Sequence, residues 1–171
     1  MAVFFYLPLI VAVYLVYVRI RYGMTRSISA SYKFLTRWQS VFPMVVLWIG
    51  ISLPIMVLGL SVSDGNPFQF LWFFAGGLIA FVGAAPVVTK ASLAEKVHVV
   101  GATGGIAAAT AAVVLSIPST WSFILAGVFI VFTITQTIEK LNLKMKNNTY
   151  WIEIAAMVMA WLALFIDFKQ V

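Results

Sequence analysis

The sequence predicts an all-α, polytopic membrane protein: a bundle of six transmembrane helices with an amphipathic segment lying on the inner leaflet. Three observations carry that expectation. Of the 171 residues, 63% are hydrophobic and 9% charged, the apolar residues fall into six runs, and the basic residues gather in alternate connections between the runs. At 1.5 Å rise per residue, a hydrocarbon core of roughly 30 Å takes about 20 helical residues, so six spans use most of the chain and leave little for a soluble domain. A mean hydropathy of +1.06 would leave a water-soluble globule with far too much uncovered apolar surface. A single transmembrane domain, residues 1–171, is therefore expected.

Taken in order, the spans fall near 2–20, 41–61, 68–88, 97–117, 120–138 and 150–167. Met1 to Val18 has no basic residue ahead of its apolar run and no small-residue cleavage site, which predicts a first span and not a removed leader. Pro54, after Ser52, is expected to kink the second span. Asp64-Gly65-Asn66-Pro67 supplies an N-cap and a first-turn proline for the third, and Ile117-Pro118-Ser119-Thr120 does the same for the fifth. Ser92-Leu93-Ala94-Glu95 has capping-box spacing, in which serine and glutamate satisfy two backbone N–H groups ahead of the fourth span. Between the first two spans, residues 27–40 place Ile28, Tyr32, Leu35 and Trp38 on one side of a helix with Lys33 and Arg37 off it, the pattern of an interfacial helix. Trp38, Tyr150 and Trp151 stand where an aromatic belt is expected.

Orientation follows from charge. Ten of the eleven basic residues lie in the connections after the first, third and fifth spans, with only Lys169 elsewhere. The positive-inside rule then puts those connections in the cytoplasm and both termini outside, as in a bacterial inner membrane. The net charge of +6 is read as this topology signal plus attraction to anionic headgroups, not as a nucleic-acid interface. The chain has no cysteine, which excludes disulfides, thiolate metal sites and cysteine nucleophiles.

Chemistry inside a bilayer has to come from the few ionisable residues, and the topology sorts them. Asp64 and Asp167 fall at the outer face, whereas Glu95, His98, Glu139 and Glu153 fall at or just below the inner one. At 100° per residue His98 shares a stripe with Ala102, Gly105 and Ala109, flanked by Gly101. That small-xxx-small run predicts close helix packing, and with it a face for self-association into a homo-oligomer. Thr133, Gln136, Thr137 and Lys140 form a polar stripe on the inner third of the fifth span. The expected site is therefore one cytoplasm-facing polar pocket built from His98, Glu95, Glu153, Glu139, Gln136, Thr133 and Thr137. Each acid also has a structural reading: capping for Glu95, a surface pair with lysine for Glu139, and helix N-terminal charge or snorkelling for Glu153. No cofactor is expected, and no metal site, because no second histidine and no paired Glu-x-x-His spacing is present. Serines 27, 29 and 31 would be nucleophiles only with a base brought close in space.

Tyr22-Gly23 with Ser27-Ile28-Ser29-Ala30-Ser31-Tyr32, and Phe81-Val82-Gly83-Ala84-Ala85-Pro86 with Glu95-Lys96-Val97-His98 and Gly101-Ala102, resemble short uncharacterised multi-span proteins of bacteria and their phages. The resemblance implies a similar bundle in a bacterial membrane and directs attention to the inner-face loops and His98, without implying a reaction. A looser similarity, in a helical bundle with polar residues near one face, is to membrane hydrolases of the alkaline-ceramidase type. Their metal site uses several histidines where this chain has His98 alone. Three functions are thus expected, in order: a small transport or permeation module, a membrane-embedded and possibly metal-dependent hydrolase acting on a lipid or amide, and a non-catalytic assembly component.

Overall fold

A computed structural model describes residues 2–28, 30–31, 41–61, 66–88, 91–117, 119–143 and 147–170. Six helices run in order: α1 (Ala2–Tyr22), α2 (Val41–Ser61), α3 (Phe70–Val88), α4 (Ala91–Ser116), α5 (Thr120–Leu143) and α6 (Asn148–Gln170), with a short 3-10 turn, Pro67–Gln69, leading into α3. All six are long and apolar enough to cross a membrane, and the described residues contain no strand. Large apolar side chains such as Ile20, Val100 and Val131 stand exposed on the outside, as a hydrocarbon solvent requires.

Helix ends follow local chemistry. Gly23 takes φ +78° just beyond α1, the left-handed conformation that closes a helix, and its N–H reaches the Arg19 carbonyl at 3.0 Å. The Asn66 side chain accepts from the Phe68 N–H at 2.9 Å, with Pro67 in the first position, so the expected cap is present. Ser119 Oγ accepts from the Ser122 N–H at 3.2 Å at the start of α5. Two boundaries differ from the sequence expectation. α4 starts at Ala91, ahead of Ser92, so the serine stands inside the helix and not at its cap position. α5 continues to Leu143, because a helix that leaves the hydrocarbon remains a helix after its hydropathy has fallen.

The tightest packing joins α2, α3 and α4. A Cβ at Gly50 would stand 2.6 Å from the Gly76 carbonyl oxygen and 2.8 Å from the Ala80 nitrogen, so the two backbones touch where glycine alone fits. Gly101 and Gly105 face α3 in the same way, the first against Val82 and Leu78 and the second against Ile79. Ala109 completes the seam in a buried cluster with Ala75 and Ala108. The stripe Gly101, Gly105, Ala109 is thus a packing face, and its occupant is α3 of the same chain. The far end of the bundle, where α3 begins and α4 ends, is filled by Trp72, Ala112, Val113, Ala163 and Leu164, each 0–1% exposed. There Trp72 Nε1 donates to Ser116 Oγ at 2.6 Å, while the Asn66 amide donates to the Ser116 carbonyl at 3.1 Å and so satisfies the end of α4.

Candidate functional site

At the opposite end, where most of the basic residues lie, the bundle is hollow. A cavity of about 410 Å3 opens among α1, α2, α3, α4 and α6. Its wall is hydrocarbon, including Val11 and Leu15 of α1, Ile49 and Leu53 of α2, Ile106 of α4 and Met157 of α6, with two ionisable exceptions, His98 and Glu153. Between His98 and Ala109 it follows about 16 Å of α4, roughly half of a hydrocarbon core. Its lining residues Leu7, Leu53, Met56 and Ala160 belong to the same buried cluster as Trp72.

The mouth is built from the α1–α2 turn. Glu153 enters from the second turn of α6, and its Oε2 accepts the Ile28 N–H at 2.6 Å while the Ile28 side chain lines the cavity. The Tyr150 N–H donates to the Arg26 carbonyl at 3.2 Å, a second tie between turn and helix. Ser31 Oγ, 1% exposed, donates to the Ile28 carbonyl and accepts from the Tyr14 hydroxyl at 2.5 Å. Thr25 Oγ1 closes the turn on the Ser27 carbonyl at 2.7 Å. The turn is therefore pinned to α1 and α6 by buried hydrogen bonds, and each removes a donor or acceptor that would be costly to leave unmade away from water. Of the stretch expected to be interfacial, the described residues 27–28 and 30–31 include a 3-10 turn at 30–31, and the hydroxyls of Ser27 and Ser31 find partners at the Ala30 N–H and at Tyr14. Tyr32, Leu35 and Trp38 lie outside the described residues, and so do Lys33 and Arg37.

The expected single pocket is two sites. Gln136 and Glu139 of α5 line a separate open groove with Met24, Phe132, Asn147, Asn148 and Trp151. There Gln136 Nε2 donates to Glu139 Oε2 at 3.0 Å, and the Asn148 amide donates to the Gln136 carbonyl at 2.8 Å. Glu139 thus has a neighbouring glutamine as its hydrogen-bond donor, while Lys144 and Lys146 lie outside the described residues. Thr137 bonds the Thr133 carbonyl at 2.8 Å along its own helix, and the buried Thr133 hydroxyl has no partner among the described residues. Glu95 stands in the first turns of α4, and its side chain lies outside the described part. The separation follows from α5 packing on α6 at the edge of the bundle, where its polar stripe meets the outer side of α6. Tyr150, expected in an aromatic belt, is buried at 5% exposure, and its ring lies edge-on to that of Trp151, which is exposed.

Sequence reasoning missed Tyr14, Thr25 and the α1 wall. Tyr14 sits in an apolar run where nothing distinguishes it from a lipid-facing aromatic. Thr25 and Ser31 do carry a signal, in that hydroxyl residues cluster within seven positions directly after a helix-closing glycine. No group of three or more metal-ligating side chains forms among the described residues.

Fold and cavity together define a polytopic helical membrane protein with an apolar cavity among its helices. Compared with protein-family models, curated proteins and solved structures, the chain matches none.

Proposed function

We propose that the protein is a small transport module that takes a lipid-like molecule from the bilayer into its central cavity, with the polar mouth facing the cytoplasm of a bacterial inner membrane and both termini outside. The observation that carries this reading is the wall: hydrocarbon throughout, with His98 and Glu153 together at one end. Its volume falls within the range of roughly 300–1,000 Å3 typical of small-molecule sites. An apolar occupant would cover this wall, which is almost entirely hydrocarbon. The filled half beyond Ala109 favours a cargo exchanged with the surrounding bilayer over a hydrated ion crossing along the bundle axis.

The decisive experiment reconstitutes the protein in phosphatidylcholine nanodiscs with a diazirine-bearing dodecyl alcohol. Saturable photolabelling of Ile106 and Met157, abolished by Ala102→Leu, is the expected result. Labelling confined to outward residues such as Val100 and Val131 would remove the proposal.

A second reading is favoured by the same pair. His98 and Glu153 share an apolar chamber near the inner-leaflet surface, where a histidine base could act on a lipid ester or amide. Turnover of such a lipid, lost in His98→Gln with binding retained, would replace transport by hydrolysis.

A further inference from the structure

We infer that the cavity is entered from its side: the terminal part of an acyl chain of a bilayer phospholipid passes between α1 and α6 through an opening bordered by Ala12 and Val158, while the headgroup stays among the surrounding lipids. This rests on the cavity being a binding site for a lipid-like molecule, and it adds the route and the part of the lipid that enters.

The helices around the cavity form a ring in which α1 packs on α2, α2 on α3, α3 on α4 and α4 on α6, so the ring closes between α6 and α1. Both sides of that closing seam show the same gradient of exposure at about 100° per residue. On α1 the lining side chains pass from buried Leu7 through half-buried Val11 to exposed Ala12, and on α6 from buried Ala160 through half-buried Met157 to exposed Val158. Among the described lining residues Ala12 and Val158 are the exposed ones, one on each helix of the seam. The seam is fastened on either side of them. Towards one end the Tyr150 N–H bonds the Arg26 carbonyl at 3.2 Å and Glu153 Oε2 accepts the Ile28 N–H at 2.6 Å. Towards the other, Leu7 shares a buried cluster with Ala160 and Leu164 of α6. Between these ties the cavity reaches the outer surface.

Depth decides what stands at that opening. Ala12 lies ten residues before the end of α1 at Tyr22, and Val158 ten residues after the start of α6 at Asn148. Both are therefore about 15 Å along their helices, half of a hydrocarbon core of roughly 30 Å. A bilayer presents the ends of its acyl chains there, and its headgroups stand at the surfaces. A chain end that bends inward past alanine and valine meets Ile49 and Ile106, and so exchanges one apolar setting for another without desolvating a polar group. Entry by the mouth would instead set hydrocarbon against the ionisable side chains of His98 and Glu153.

The test uses phosphatidylcholine nanodiscs doped with a phosphatidylcholine that carries a diazirine either near the methyl end of one acyl chain or near its carbonyl, with labelled residues located by peptide mass spectrometry. The methyl-end probe should label Ile49 and Ile106 on the inner wall, and the carbonyl-end probe should label outward residues such as Val16 and Ile20 without reaching Ile28. Ala12→Trp and Val158→Trp put an indole at exposed positions, where no core has to repack, and each should abolish inner-wall labelling by the methyl-end probe. Val131→Trp, at an exposed position on α5, should leave that labelling intact. Labelling of Ile28 by the carbonyl-end probe in the wild-type protein, where no variant has to fold, would show entry by the mouth and overturn the side route. Inner-wall labelling that persists in both Ala12→Trp and Val158→Trp would overturn it as well. An inner wall untouched by the methyl-end probe but saturably labelled by the diazirine-bearing dodecyl alcohol overturns the side route and leaves the cavity a binding site. An inner wall labelled by neither overturns the binding site itself.

Discussion

The two halves of this bundle solve the same packing problem in opposite ways. In the half around Trp72, side chains and polar groups close on one another: the indole N–H meets Ser116, Asn66 covers the end of α4, and five apolar residues are sealed almost completely. In the half beneath the α1–α2 turn, the helices stand apart, the polar groups form a rim, and the space between is lined with hydrocarbon. Close packing is the default for protein interiors, and the open half departs from it. α2, α3 and α4 serve both halves: locked by Gly50, Gly76, Gly101 and Gly105, they form a wall against which α1 and α6 leave the gap.

If the halves differ as described, adding bulk should have opposite signs in them. The largest effect is expected for Gly50→Leu, whose Cβ meets backbone atoms of α3 and has nothing flexible to displace. The loss should exceed the roughly 1–3 kcal/mol of ordinary overpacking, read as failure to purify monodisperse protein. Normal yield and stability would show that the seam between α2 and α3 is looser than the geometry states. Trp72→Ala, which empties the sealed half and removes the indole donor to Ser116 while that hydroxyl keeps its bond to the Ala112 carbonyl, should cost about 3–5 kcal/mol in thermal or denaturant unfolding in detergent. In the open half, Ala102→Leu should instead raise stability by about 1–2 kcal/mol, because the added carbons fill part of the chamber. Destabilisation by this change would mean that the chamber is not available space. Smallest is Tyr14→Phe, which removes the hydroxyl bond to Ser31 at a cost of about 1 kcal/mol. Its sharper readout is faster hydrogen exchange at the Ile28 and Ala30 amides, as the turn loosens over the cavity. Topology can be checked in the same cysteine-free chain: single cysteines near Arg26 and Lys144 should label from the cytoplasm, and one near Asn66 from outside.

Six spans, their order and most of their ends were legible in the sequence, since membrane helices are specified by local properties: run length, charge exclusion, and caps such as Asn66-Pro67. Gly101, Gly105 and Ala109 were legible as a packing face for the same reason, because small residues every four positions make a groove whatever fills it. Which helix fills it was a matter of tertiary structure, and α3 does so, with Gly50 of α2 seated against Gly76 and Ala80, themselves four residues apart on α3, as a second contact. The site divided along the same line. Depth along the membrane axis comes from counting residues, and it placed His98, Glu139 and Glu153 at one end. Depth says nothing about azimuth, and the docking of α5 on the far side of α6 sent Gln136 and Glu139 to one groove while His98 and Glu153 met in another. Tyr14, Ser31 and the Ile28 N–H joined the second site through contacts 17 and 125 residues apart in the chain. A periodic pattern within one helix cannot encode such contacts, because they exist only once separate helices have taken their places around a shared space.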